Sequence, residues 1–117
     1  MNIFYRNSRI EGYCKNNIKA QKAFSRQVAL KLQAAINQVE AASNILDVIN
    51  FPPNHFHLLK GDRKGLYSID LGRKLGFRLI VRPKKGDNFA SPEEVFGADA
   101  LTIVDIQFEE VTNHYEQ

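Results

Sequence analysis

Three histidines and a concentrated group of Lys and Arg are the residues of this 117-residue chain best equipped to move protons and to stabilise negative charge. Cleavage of an RNA strand without a metal asks for three groups. One takes a proton from the ribose 2′-hydroxyl, a cation stabilises the charge growing on the phosphorane, and an acid protonates the departing 5′-oxygen. His57, Lys60, Arg78 and His114 are of the right types, because imidazole titrates near neutrality while Lys and Arg stay cationic. His55-Phe56-His57 would set two rings on one face of a strand, a spacing also used at metal sites. A metal would need further ligands, and the single cysteine, Cys14, is far away in sequence, so neither metal nor other cofactor is expected. The competing reading makes His57 a surface histidine and the cations a solvated face.

Charge distribution favours a polyanionic partner. The overall net charge of +3 hides a division: residues 1–59 are net +4, residues 60–85 carry nine Lys/Arg against two acids, and residues 86–117 hold eight acids and no Lys or Arg. Arg73, Lys74, Arg78, Arg82, Lys84 and Lys85 would form a basic track across a sheet, which the phosphates of a single strand could follow. The acidic stretch 86–117 would then limit indiscriminate binding to RNA. Leu59-Lys60-Gly61-Asp62-Arg63-Lys64-Gly65 has glycines and cations but lacks the order of a phosphate-binding loop. It joins two strands, so its glycines and Asp62 read as turn formers.

The elements that must position these groups follow from pattern. One domain spans 1–117, with ordinary globular composition, and a chain with no signal peptide or apolar span is expected in the cytoplasm. Met1 to Tyr5 reads as a short strand bounded by the polar stretch 6–9. Val28, Leu32, Ile36 and Val39 recur at helical spacing within a helix over 17–42 that breaks near Ser25. Ser43 would cap one further turn, 45–49, before Pro52-Pro53. Strands follow at 55–60, 66–71, 77–82 and 101–109, with 83–99 as a polar loop. Alternation puts Tyr67, Ile69, Leu71, Phe77, Leu79, Val81, Val104, Ile106 and Phe108 on one apolar face. The expected class is α+β, with N-terminal helices on one face of a small antiparallel sheet whose other face is polar.

The run His57-Leu58-Leu59-Lys60-Gly61-Asp62-Arg63-Lys64-Gly65-Leu66-Tyr67-Ser68-Ile69, with Gly76-Phe77-Arg78-Leu79-Ile80 after it and a histidine near the C-terminus, resembles HigB-type toxins of the RelE/ParE superfamily, the plasmid maintenance killer proteins. The resemblance covers nearly the whole chain and is most specific over 57–82. It implies the RelE-like two-layer fold and ribosome-dependent, metal-free cleavage of mRNA. It also implies a cognate helix-turn-helix antitoxin (HigA-like), with operator DNA touched only through the antitoxin complex. His57 matches the catalytic histidine, Lys60 and Arg63 the basic turn, and Arg78 the arginine at the scissile phosphate. Lys64, Arg73, Lys74, Arg82 and Tyr115 are expected to grip RNA. The usual C-terminal Asp-Tyr-His or Asp-x-His is here Thr112-Asn113-His114, a departure that implies a slower enzyme, use of Glu109 or Glu110 as the acid, or lost activity. Loop 83–99 resembles an insertion found in some relatives. A non-catalytic or gyrase-directed, ParE-like toxin of the same fold is the alternative.

Overall fold

The helices start where a short polar side chain can satisfy backbone N–H groups that have no partner within the helix. The computed structural model describes residues 1–61 and 65–113. Arg63, Lys64, His114 and Tyr115 lie outside the described residues. Helices α1 (Ser8–Lys15), α2 (Asn17–Ala23), α3 (Arg26–Ala41) and α4 (Ile45–Ile49) follow Asn7, Asn16, Ser25 and Asn44. The side chains of these four residues accept from the backbone N–H of Ile10, Lys19, Val28 and Asp47. The break near Ser25 is thus the N-cap of α3. The cap of α4 is Asn44 in place of Ser43, whose own N–H donates to the Asp47 carboxylate at 2.8 Å. Helix α1 stands where only a polar boundary was expected; its signal is Ile10 and Cys14, four residues apart and both buried.

Among the described residues six strands form one sheet: β1 (Asn2–Tyr5), β2 (His57–Leu58), β3 (Tyr67–Asp70), β4 (Arg78–Lys85), β5 (Asn88–Phe89) and β6 (Asp105–Thr112). Their order is β1-β6-β4-β3-β2, and β5 pairs with β4. Every pairing is antiparallel except β1 with β6, so the sheet is mixed. No hairpin sets the direction of β1, which is separated from the other strands by the whole helical layer. The two-layer α+β arrangement otherwise matches expectation.

Local chemistry moved several boundaries. Pro52–Asn54 form a 3₁₀ turn, and His55 closes it in the left-handed region (φ 43°, ψ 49°), so β2 begins only at His57. Ala98–Thr102 form another 3₁₀ turn, which delays β6 to Asp105. Ile103 is therefore buried and Val104 exposed, the reverse of the expected alternation. Residues 83–99 are not a plain loop. Strand β4 runs to Lys85, Gly86 turns the chain at φ 64°, and β5 follows. Helix α5 (Pro92–Val95) is closed by a reciprocal cap between Ser91 and Glu94. Lys85 pairs with Glu94 and Asp99, both at 3.2 Å, so part of the acidic segment is spent on holding this excursion. Hydrogen bonds from Ser91 and Lys85 keep the Glu94 carboxyl below its usual range.

Tyr67, Ile69, Leu79, Val81, Ile106 and Phe108 are fully buried on the covered face of the sheet, in one cluster with Val28, Leu32, Ile36 and Val39 of α3. Phe77 joins the edge of this cluster and meets Phe24 edge-on at 5.6 Å. Among the described residues, no helix is long and apolar enough to cross a membrane.

Tyr67 lies stacked on Phe56 at 5.0 Å and beside Phe96 at 5.8 Å, and its buried hydroxyl has no hydrogen-bond partner among the described residues. Burial pushes its phenol up to about 12, with Glu93 adding to the shift. A phenol ordinarily ionises near pH 10, so the stability carried by the neutral form is whole below that value and is lost as pH rises toward about 12. Tyr67→Phe is expected to raise unfolding stability by about 1 kcal/mol at pH 7 and to reduce the alkaline loss. Urea unfolding at pH 7 and pH 11 checks both; a destabilised variant would mean that the hydroxyl has a partner.

Candidate active site

Directly paired residues in a sheet point to the same side, so register places the chemistry. On the face away from the helices, His57 stands opposite Ser68, Ser68 opposite Ile80, and Ile80 opposite Glu110. The next row is Asp70, Arg78 and Thr112. Further along β4, Arg82 pairs with Gln107 and Lys84 with Asp105. His57 and Arg78 thus share this open face, two strands and two residues apart, or roughly 12 Å between Cα atoms from strand geometry. Their long side chains can bracket one phosphate.

Asp70 organises that end of the face. Its side chain is only 6% exposed, and Oδ1 accepts from Arg78 Nη1 at 3.2 Å. On its other side, Oδ2 lies 3.5 Å from His55 Nδ1. A buried carboxylate needs such compensation, and the pairing in turn fixes the guanidinium of Arg78. The His55 ring stands 4.8 Å from that of His57, tilted by 38°.

His57 is oriented by its neighbour's backbone. His57 Nδ1 lies 2.8 Å from the His55 carbonyl oxygen. A carbonyl only accepts, so Nδ1–H donates and the neutral ring keeps its lone pair on Nε2. That is the tautomer a general base requires. The left-handed backbone of His55 directs the carbonyl; among the described residues it is the only non-glycine with positive φ, and histidine is one of the types that tolerates that region best. The sequence reading missed His55 and Asp70 as positioning residues. His-x-His spacing and an Asp on the polar side of β3 were their signals.

Three polar groups on the open face are buried without a hydrogen-bond partner among the described residues: Arg78 Nε, Arg82 Nε and Ser68 Oγ. Unmatched buried donors are rare, and the two arginine donors on β4 with the Ser68 hydroxyl on neighbouring β3 suit an anion. Neither His57, His55 and Asp70 together nor any other group of three or more His, Cys, Asp or Glu is arranged to hold a metal among the described residues.

The remaining candidates are dispersed. Lys60 is exposed two residues beyond β2. Arg73 and Lys74 sit in a 3₁₀ turn between β3 and β4. Arg73 there lines a cleft of about 560 Å³ with Lys31, Phe51, Pro53, His55 and Asp70. A bulge in β6 gives Glu109 no counterpart on β4. Glu109 is buried, accepts from Gln107 at 2.6 Å, and lies 3.9 Å from Arg6. Glu109 and Glu110 line a separate cleft of about 340 Å³ with Arg6 and Arg9.

No family model matches the chain, and no curated protein matches it. Among solved structures, a YoeB/ParE toxin from Agrobacterium tumefaciens aligns with a TM-score of 0.52 over 98% of this chain and 100% of that one, at 13% sequence identity. At such low identity the likeness is one of fold. The chain has a two-layer α+β fold similar to that of this toxin over nearly its whole length.

Proposed function

We propose that the chain is the toxin of a type II toxin–antitoxin module, of the HigB kind, and that it cuts mRNA on the ribosome. The observation that carries this reading is His57 Nε2, left as an acceptor by the Nδ1 contact with the His55 carbonyl, on the same face as an Arg78 clamped by Asp70. The shared fold with a YoeB/ParE toxin and the run from His57 to Arg78 support it.

In this reading His57 Nε2 takes the proton of the ribose 2′-hydroxyl as the 2′-oxygen attacks the adjacent phosphorus. Arg78 and Lys60 stabilise the phosphorane. The bond from phosphorus to the 5′-oxygen then breaks, His114 gives that oxygen a proton, and a 2′,3′-cyclic phosphate remains. Arg63, Lys64, Arg73, Lys74, Arg82 and Tyr115 hold mRNA or ribosomal RNA. A helix-turn-helix, HigA-like antitoxin neutralises the toxin in the cytoplasm and carries the complex to operator DNA. The second reading, a gyrase-directed or non-catalytic toxin, is favoured by Thr112, which stands opposite Arg78 where an Asp of the C-terminal motif would fall.

Induction of the chain without a partner, followed by mapping of mRNA 5′ ends, separates the two. Codon-phased cuts are expected, reduced roughly 10²- to 10⁴-fold in His57→Ala and about 10²- to 10³-fold in Arg78→Ala. Growth arrest with intact mRNA and a DNA-damage response would replace this reading with the gyrase-directed one, and absence of arrest would sink both. Asp70→Asn should lower unfolding stability by about 1–3 kcal/mol in urea, because it leaves the Arg78 charge without its partner. The same variant should lower the cleavage rate by slowing the chemical step with little change in apparent RNA affinity.

A further inference from the structure

Two exposed phenylalanines flank the basic strand on the open face, and neither belongs to the residues assigned above. Phe4, on β1, is opposite Gln107, which is opposite Arg82. Phe89, on β5, is opposite Lys84. By register, both rings therefore stand on the same side as Arg78, Arg82 and Lys84. They remain 42% and 40% exposed, large apolar rings that the core does not use. Each is met by a cation from β4: Arg82 lies over Phe89 with its guanidinium carbon 3.7 Å from the ring centre, and Lys84 Nζ lies 4.3 Å from the centre of Phe4.

We propose that Phe4 and Phe89 form a base-stacking platform for single-stranded RNA, with Arg82 and Lys84 between them to take the phosphates; this rests on the RNA-directed reading of the open face. Strand β4 lies between the strands that carry the two rings, so the rings stand about three strand spacings apart, roughly 14 Å. A backbone crossing β4 would meet the two cations while its bases reach a ring on either side. An aromatic face accepts any base, and exposed cation–π pairs are weak beside a stacked base combined with a charge pair. Incoming RNA would displace each cation from its ring to a phosphate, so the present contacts keep the side chains ready without holding them. The unmatched Arg82 Nε gives the guanidinium a further donor for that phosphate.

Position defines what the platform reads. Arg82 is four residues along β4 from Arg78, roughly 13 Å, so the stacked bases would lie to one side of the bond that His57 and Arg78 address. Phe89 reaches this face only because the excursion 86–102 starts with the β4–β5 hairpin. Two of the four acids of that excursion, Glu94 and Asp99, are turned to Lys85 and leave Arg82 and Lys84 to the ligand. On β6, Asp105 accepts from Asn2 at 2.9 Å beside Lys84. Asp105 and the acids at 109 and 110 would keep phosphates over β4.

The test is fluorescence anisotropy with the full chain and a short 2′-O-methyl RNA, which cannot be cleaved through its 2′-oxygen, together with the same strand made abasic at single positions. Phe4→Leu and Phe89→Leu keep apolar bulk, and thermal unfolding checks that they remain folded. Each is expected to weaken binding roughly 5- to 100-fold, and loss of one base should weaken the wild type but not the matching variant. Unchanged affinity in both variants, or no RNA binding by the wild type, overturns the platform. mRNA 5′-end mapping run in parallel keeps the two ideas apart. His57-dependent cuts with unaffected Phe variants would leave the nuclease standing without the platform. Ring-dependent RNA binding without cuts would leave the platform standing without the nuclease.

Discussion

A carboxylate that is almost wholly buried at the end of a central strand must be neutralised, and the open face of this protein is arranged around that requirement. Asp70 meets it with Arg78 from β4 on one side and His55 from the preceding turn on the other. The turn before β2, the end of β3 and the start of β4 are thereby tied at one point. Remove that charge and Arg78 loses the ion-pair partner that it has among the described residues, while His55 loses the carboxylate beside its ring. The positioning is electrostatic and local, and it needs the rigid pairing of β3 with β4 to put Asp70 and Arg78 directly opposite each other.

The apolar side of the sheet supplies that rigidity. Tyr67, Ile69, Leu79, Val81, Ile106 and Phe108 alternate with the open-face residues, so each buried side chain fixes the height and direction of a polar neighbour. Burial of the first set against α3 and the placing of the second on the opposite side follow from one pleat. A slip by one residue would send Arg78 into the core and Leu79 into solvent, and the side-chain volume packed behind the sheet prevents it. The two cations that meet phenylalanine rings extend the same logic past the pair of Asp70 and Arg78. Arg82 and Lys84 occur at the period that Arg78 begins, and the edge strands on either side supply Phe89 and Phe4.

The strong charge division of the chain has a structural outlet. Part of the acidic C-terminal portion is consumed in holding the excursion after β4, through Lys85 with Glu94 and Asp99. Another part is placed on β6, where a bulge adds Glu109 beside Arg6 and Gln107. The result is a basic strand bordered by an acidic one, a narrower cationic surface than a uniform basic track. Surfaces of that kind favour a strand laid in one direction over indiscriminate attachment.

Much of this was legible before folding, because period is a property of sequence. The apolar stripe of Val28, Leu32, Ile36 and Val39, the alternation of β3 and β4, and the place of Arg78 and Arg82 on the polar face all follow from spacing alone. Helix α1, the parallel β1, the late starts of β2 and β6, and the hairpin within 83–99 did not, since each depends on a cap, a turn or a partner strand supplied from elsewhere. The sequence by itself determined the two layers, the strand faces and the residue types available for chemistry. Only the tertiary structure decided that Asp70 holds Arg78, that the His55 carbonyl sets the tautomer of His57, and that Phe4 and Phe89 flank the same strand. Those contacts join residues with no periodic relation, and hydrogen bonds and ring contacts act over a few ångströms of space whatever the distance along the chain.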